Sequence, residues 1–595
     1  MRTLNVFLLA LIFVIASGIV FYQLFNLELT RIPFLDDQTP QAQGQIYILS
    51  SKENERFMLE NGYDIKARQD HILRIQQLLK KLGYDSKLLD IERLAFAKPG
   101  ATLLALDIYA LSDASFKDIQ DFLKRGGNLF FNYRFGYFLP DGAFVGPKRI
   151  EQITRLRYIQ SLERGATKAT FIVPKMLSPL GGGVGMRSDL VRYDPIPLFR
   201  SATTPDALLS NWQITQPPSI DSKPLSVTEA GVMWHGRYKE GTWYYASFPA
   251  YTFLEMRPDQ SRRYLGGALH YLTHTVHLVF YPFLRTPFGV FVSEDTEYKY
   301  PQLTAFVKSC ATYDINATLF CVAGLAKKHP DITRRAASYS NIEIASHSMT
   351  HTPLTGLKSS ALEREIVESK KLLEQITGKE VVGFRPPKEQ IDKKIRALLK
   401  KAGYRYIMER TRPQLLPFIE EGLVTLPRHG TDDYLYMVDF EWDENKILTQ
   451  IMAETEFLRS IDALYTLSVH THLLGYSSNI QILRRYFSIL SRLKIPTYTG
   501  RELSRIATIS HRLKAKIQEN PRSLVITLFN NSDESIKGLK FRLYHPKIPK
   551  IKAVFSEILN TKATIVATNQ KERYVDVEVE NLAARASLTL IATLR

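Results

Sequence analysis

Cysteine is nearly absent. The 595-residue chain has two, Cys310 and Cys321. Their spacing matches neither a structural zinc site nor a C-x-x-C redox pair. Cys321 lies in the apolar run Ala317–Val322, so both are expected to be small core residues rather than a disulfide. Because no cysteine precedes Cys310, a cysteine nucleophile is excluded from the front of the chain. Gly181-Gly182-Gly183-Val184-Gly185 lacks the Lys-Ser/Thr of a phosphate loop and reads as a plain loop. No zinc finger, RNA-binding signature or arginine-rich run occurs, so nucleic acid is not an expected partner. Acidic residues are in short supply: 60 Asp+Glu face 78 Lys+Arg, a formal charge of +18. That surplus favours a phospholipid surface or an anionic envelope polymer; a solvated basic surface accounts for the same number.

Charge is missing altogether from Leu4 to Phe25. A bilayer-crossing helix needs about 20 apolar residues. Arg2 precedes the run, and the simplest topology keeps the N-terminus inside and the rest outside the membrane. Ala16-Ser17-Gly18 resembles a signal-peptidase site, but Ile19–Tyr22 continues the apolar run, so an uncleaved anchor is expected at 1–26. Residues 27–44, with Pro33 and Pro40, read as a linker. With 45% apolar and 11% aromatic residues the remainder is globular, and its length calls for roughly three or four domains in all.

From Gln45 to about residue 278 short apolar runs (Ile46–Leu49, Lys87–Ile91, Leu103–Leu106, Asn128–Phe131) alternate with helical patterns such as 70–82, which ends at Gly83. This predicts an open parallel sheet with helices on its faces. The region resembles the class I glutamine amidotransferase-like fold. Where that fold's catalytic members place a nucleophilic cysteine, the turn here is Asn132-Tyr133-Arg134-Phe135-Gly136, which leaves a non-catalytic module. From 279 to 512 the βα pattern repeats and predicts a distorted (β/α) barrel, with chemistry at the C-terminal ends of its strands. Asp295, His347, Arg385 and His470 each follow a predicted strand. From 513 to 595 the period changes to two, predicting a β-sandwich accessory domain. The fold class is therefore α/β multidomain, with an N-terminal transmembrane helix and a C-terminal β-sandwich.

His347 and His351 bracket three residues just past a strand, and Asp295 can supply a carboxylate to the same point. Two imidazoles and a carboxylate suit a catalytic divalent ion, zinc first, although iron oxygenases use a similar triad. Glu343–His351 and Gly383-Phe384-Arg385-Pro386-Pro387 resemble the second and third motifs of the polysaccharide deacetylase (NodB-homology, carbohydrate esterase family 4) domain. The resemblance covers about 285–510. It implies removal of N-acetyl groups from an N-acetylated polysaccharide, with zinc or else cobalt, nickel or manganese as cofactor. It maps the adjacent acidic pair of the family's first motif onto Glu294 as base and Asp295 as metal ligand beside His347 and His351. Arg385 would then hold the base, and His470 would be the general acid, paired with Asp433 or Asp432. Glu297 is a third carboxylate that could share the work, and His472 is a rival to His470. A non-catalytic glycan-binding or assembly protein is the alternative on the same barrel.

Overall fold

The computed structural model describes residues 45–594, apart from 164–169, 182–187, 190–194, 212–216, 221–222, 275, 411–413, 429–430, 546–550, 557–560 and 571. The anchor expected at 1–26, the linker at 27–44 and most of the glycine loop fall outside the described residues. Among the described residues no helix is long and apolar enough to cross a membrane.

The front unit is built on a nine-stranded sheet. Ser86–Asp90, Ile46–Ser50, Thr102–Ala105, Asn128–Asn132 and Gly241–Ala246 lie side by side and parallel. The other half is antiparallel: Gly231–Tyr238 pairs with Gly241–Ala246 and with Ala207–Asn211. The expected all-parallel sheet is thus corrected to a mixed one. The cause is local. Tyr238 faces Gly241 across a two-residue loop in which Lys239 takes φ 55°, and so short a connection can join only antiparallel strands. Side chains alternate across the sheet, so Phe130 and Tyr244 fill one apolar layer while Phe131 and Tyr245 fill the other.

The barrel sheet runs, in spatial order, 418–420, 423–428, 406–410, 383–384, 342–346, 317–321, 289–296 and 464–470. Every neighbouring pair is parallel except the first. The ring closes without a backbone ladder: Thr466 Oγ1 donates to the Pro427 carbonyl at 2.8 Å. Cys310 and Cys321 are free and buried in this core, as expected.

The C-terminal unit is two four-stranded antiparallel sheets, 277–280/536–544/574–582/563–569 and 513–520/523–530/586–594/551–556. Its first strand comes from the segment before the barrel. His277 pairs with Tyr544 and Phe280 with Phe541. The boundary expected at 278/279 therefore cuts a strand of the C-terminal sandwich, and the barrel is an insertion between strands of that sandwich. Leu177 of the front unit joins all three bodies. Its carbonyl accepts from Arg542 Nη1 at 2.8 Å and Tyr544 Oη at 2.7 Å, and its N–H donates to Asp462 of the barrel at 3.3 Å.

Candidate active site

The strand Gly289–Thr296 and the loop after it carry three carboxylates within four positions, and strand alternation separates them. Glu294 and Thr296 point to the helix side of the sheet. There the fully buried Glu294 carboxylate accepts from Thr296 Oγ1 at 2.5 Å and from Thr471 Oγ1. Burial pushes it up to about 8, against the pull of those hydroxyls. Asp295 and Glu297 point the other way, into the mouth of the barrel.

This corrects the expected pairing of Glu294 with Arg385. Arg385 Nη1 lies 3.0 Å from Asp295 Oδ2 and donates to Ser468 Oγ at 2.9 Å, so the guanidinium serves Asp295. The ligand-like position expected for Asp295 is taken instead by Glu297. Its Oε1 is 3.3 Å from His347 Nε2 and 3.0 Å from His351 Nε2, whereas Asp295 Oδ2 is 3.9 Å from His347 Nε2. Burial raises the Glu297 carboxylate, but hydrogen bonds from His347 and His351 and the charge of His347 and His470 outweigh it and hold Glu297 well below the usual carboxylate range.

Backbone and neighbours aim both histidines. His347 Nδ1 bonds the Arg385 carbonyl at 2.8 Å, which turns Nε2 toward Glu297. Ser348 and His351 adopt left-handed φ of 68° and 65°, folding the loop back on itself. Glu365 clamps that loop, accepting from the N–H groups of Met349 and Thr350 at 3.0 and 2.9 Å and from Thr350 Oγ1 at 2.7 Å. Spacing arguments missed Glu365, since nothing local marks a helix carboxylate as the partner of a loop so far upstream.

Across the mouth, His470 Nδ1 is 2.5 Å from Asp433 Oδ1, and Asp433 Oδ2 accepts from the N–H groups of His470 and Leu474. Burial pushes the imidazole down, but the Asp433 charge and hydrogen bond lift it further, to about 10. Asp432 is engaged elsewhere, 3.0 Å from Arg428. His472 stands 5.5 Å from His470, ring to ring, and packs edge-on against Tyr298.

Two groups of side chains bring donor atoms within 4.8 Å of one another: Glu297, His347 and His351, and Asp295, Glu297 and His470. Two imidazole nitrogens and a carboxylate oxygen are a donor set for a borderline divalent cation. Asp295 Oδ1 is buried beside them with no hydrogen-bond partner among the described residues, an orphaned acceptor that an ion or its water would satisfy. The residues fit a metal centre.

A family model described as polysaccharide deacetylase matches residues 295–407. A chitooligosaccharide deacetylase of Rhizobium leguminosarum bv. trifolii is 44% identical over 59 residues, which are 10% of this chain and 27% of the relative. The match therefore spans about a quarter of that relative's length. Among solved structures, an allantoinase is 16% identical, with 37% of this chain and 90% of that chain covered at a TM-score of 0.33. The peptidoglycan deacetylase PdaC of Bacillus subtilis is also 16% identical, with 38% and 93% covered at a TM-score of 0.29. With the family match lying across the strands and loops that carry Asp295, Glu297, His347, His351 and Arg385, the chain contains a polysaccharide deacetylase domain at residues 295–407.

Proposed function

We propose that the protein is a metal-dependent deacetylase that removes N-acetyl groups from an envelope or extracellular glycan and releases acetate. One observation carries the reading. A carboxylate held by an arginine (Asp295–Arg385) and an imidazole held by a carboxylate (His470–Asp433) meet beside the Glu297–His347–His351 group, with Asp295 Oδ2 3.7 Å from His470 Nε2.

In this reading Glu297, His347 and His351 hold the cation, zinc before cobalt, nickel or manganese. A divalent ion held by these three residues would supply Lewis-acid chemistry, polarising the amide carbonyl and acidifying a water. Asp295 is the general base that takes the proton of the attacking water. Arg385 fixes its carboxylate through the 3.0 Å contact of Nη1 with Oδ2. His470, kept protonated by Asp433, gives its proton to the departing amine. Glu294 takes no part, because its carboxylate lies behind the sheet. The name of the curated relative makes chito-oligosaccharides the first substrates to try.

Membrane anchoring and an extracytoplasmic location belong to the same proposal. They are supported by the charge-free run Leu4–Phe25 and by the surplus of +18, which suits anionic envelope polymers. The experiment is acetate release by residues 45–595 on N-acetylglucosamine oligomers and peptidoglycan, after chelation and after zinc or cobalt is added back. Acetate that appears only with metal supports the reading. Stoichiometric metal with no acetate from any N-acetylated glycan rejects it in favour of a glycan-binding role.

A further inference from the structure

The segment after Arg385-Pro386-Pro387 is strained and charged in a way that the proton-transfer roles do not use. Lys388 and Glu389 both take left-handed backbone, with φ of 53° and 56°. Neither is glycine, and two such residues in a row persist only where the surroundings over-determine them.

The surroundings here are ionic. Glu389 grips Arg428 with both oxygens, Oε1 to Nε at 2.5 Å and Oε2 to Nη2 at 2.8 Å. The same Oε1 is 3.6 Å from Arg385 Nη2. Arg428 also meets Asp432 at 3.0 Å, and Arg385 meets Asp295 at 3.0 Å. Five side chains thus alternate in sign, Asp295–Arg385–Glu389–Arg428–Asp432, and the next residue, Asp433, holds His470. Both guanidiniums are almost fully buried. With Glu389 removed they would face each other across a poorly screened gap, and each would compete for the remaining carboxylates.

We infer that Glu389 is a positioning residue: it sits between two buried arginines, fixes Arg385 against Asp295, and ties the base side of the site to the loop that presents Asp433. The inference rests on the reading of Asp295 as the base.

The test is Glu389→Gln in residues 45–595, with kcat, KM, zinc content, melting temperature and a crystal structure. kcat should fall about 10²-fold, the loss that a misplacement of roughly 1 Å brings, while KM moves less and zinc content and melting temperature hold. Glu389→Asp should recover part of the loss. Glu389→Gly separates charge from strain: it relaxes the backbone yet should lose as much kcat as Glu389→Gln. Adding Arg428→Gln to Glu389→Gln should restore activity, because the stray cation is gone, a non-additivity that a purely structural role does not produce. In the crystal, Arg385 should draw away from Asp295 to beyond about 4 Å, the limit of an ion pair. Turnover within twofold of the parent, with the Arg385–Asp295 contact intact, overturns the inference. If the parent chain releases no acetate, the reading of the site fails, and the crystal structure still decides whether Glu389 holds Arg385.

Discussion

Two polar clusters sit at the ends of parallel strands in this molecule, and only one has the form of an active site. In the front unit, Asp107 follows the strand Thr102–Ala105 and Asn132 ends the next one. Asp107 accepts from Asn132 Nδ2 at 2.8 Å and from the Ala250 N–H at 3.1 Å. Asn54 accepts from the N–H groups of Tyr109 and Ala110. Arg68 donates to the Leu106 carbonyl, and its Nε has no partner among the described residues. In the barrel, Asp295 Oδ1 has no partner among the described residues while three donor atoms converge next to it. Both clusters bury their aspartate and both use left-handed residues, Asp107 and Tyr133 in one, Ser348, His351, Lys388 and Glu389 in the other, although Glu297, His351 and His470 are only half-buried. Burial and strain therefore do not distinguish a site from a strut. What distinguishes them is where the acceptors point: in the front unit at N–H donors of the backbone and of Asn132, in the barrel at one another.

The sharpest way to break this contrast is to neutralise each aspartate. Asp295→Asn should lower acetate release by about 10²–10⁴-fold, the range for a lost general base, with zinc content retained. Asp107→Asn should leave acetate release at the parent level and reduce stability by about 1–3 kcal/mol, as expected for a disturbed buried hydrogen bond. Equal effects of the two on turnover would show that the front cluster is part of the chemistry.

Next in size is the ligand assignment. Glu297→Ala should strip the cation much as His347→Ala does, so bound zinc falls to background by elemental analysis while the melting curve of the metal-free protein changes little. Zinc retained in Glu297→Ala but lost in Asp295→Ala would return the ligand role to Asp295. The hydrogen bond behind His470 should matter less. Asp433→Asn is expected to reduce kcat about 10–100-fold, the usual toll for the partner of a functional imidazole. Its effect should be greatest toward high pH, because His470 then loses the charge that holds its proton, and the limb of the rate profile that falls with rising pH should move to lower pH.

How much of this was legible in the chain follows from the range of each signal. The βα alternation and the strand-end placement of Asp295, His347, Arg385 and His470 were readable, since hydrophobic period and local spacing define them. Strand alternation also held the answer that the adjacent pair Glu294-Asp295 obscured: two neighbours on a strand cannot face the same cleft, whereas Asp295 and Glu297 can. Partners distant in sequence were not readable. Glu365 on the loop of His351, Glu389 between two arginines and Ser468 beneath Arg385 are brought in by tertiary packing. The hairpin at Lys239-Glu240 and the crossing of His277–Phe280 into the sandwich were hidden for related reasons. The first depends on one left-handed residue, and the second on a pairing across the whole barrel.

The smallest effect on turnover belongs to Glu294, and it carries the contrast inside a single strand. Glu294→Gln should keep both zinc and acetate release, whereas the resemblance to an adjacent acidic pair would have it lose turnover. The substitution should show in stability instead. Burial lifts the folded carboxyl to about 8, above the ordinary glutamate value of about 4.3. Between these values the folded chain holds a proton that the unfolded chain has released, so the parent's stability falls as pH rises through that window. Glutamine carries no such proton. The melting temperature of Glu294→Gln relative to the parent should therefore climb from pH 5 to pH 9, with the difference flat below about pH 4, where both states of the parent are protonated. Parallel melting curves across that range would mean that the carboxyl ionises freely in the folded protein, and would reopen its place in the chemistry.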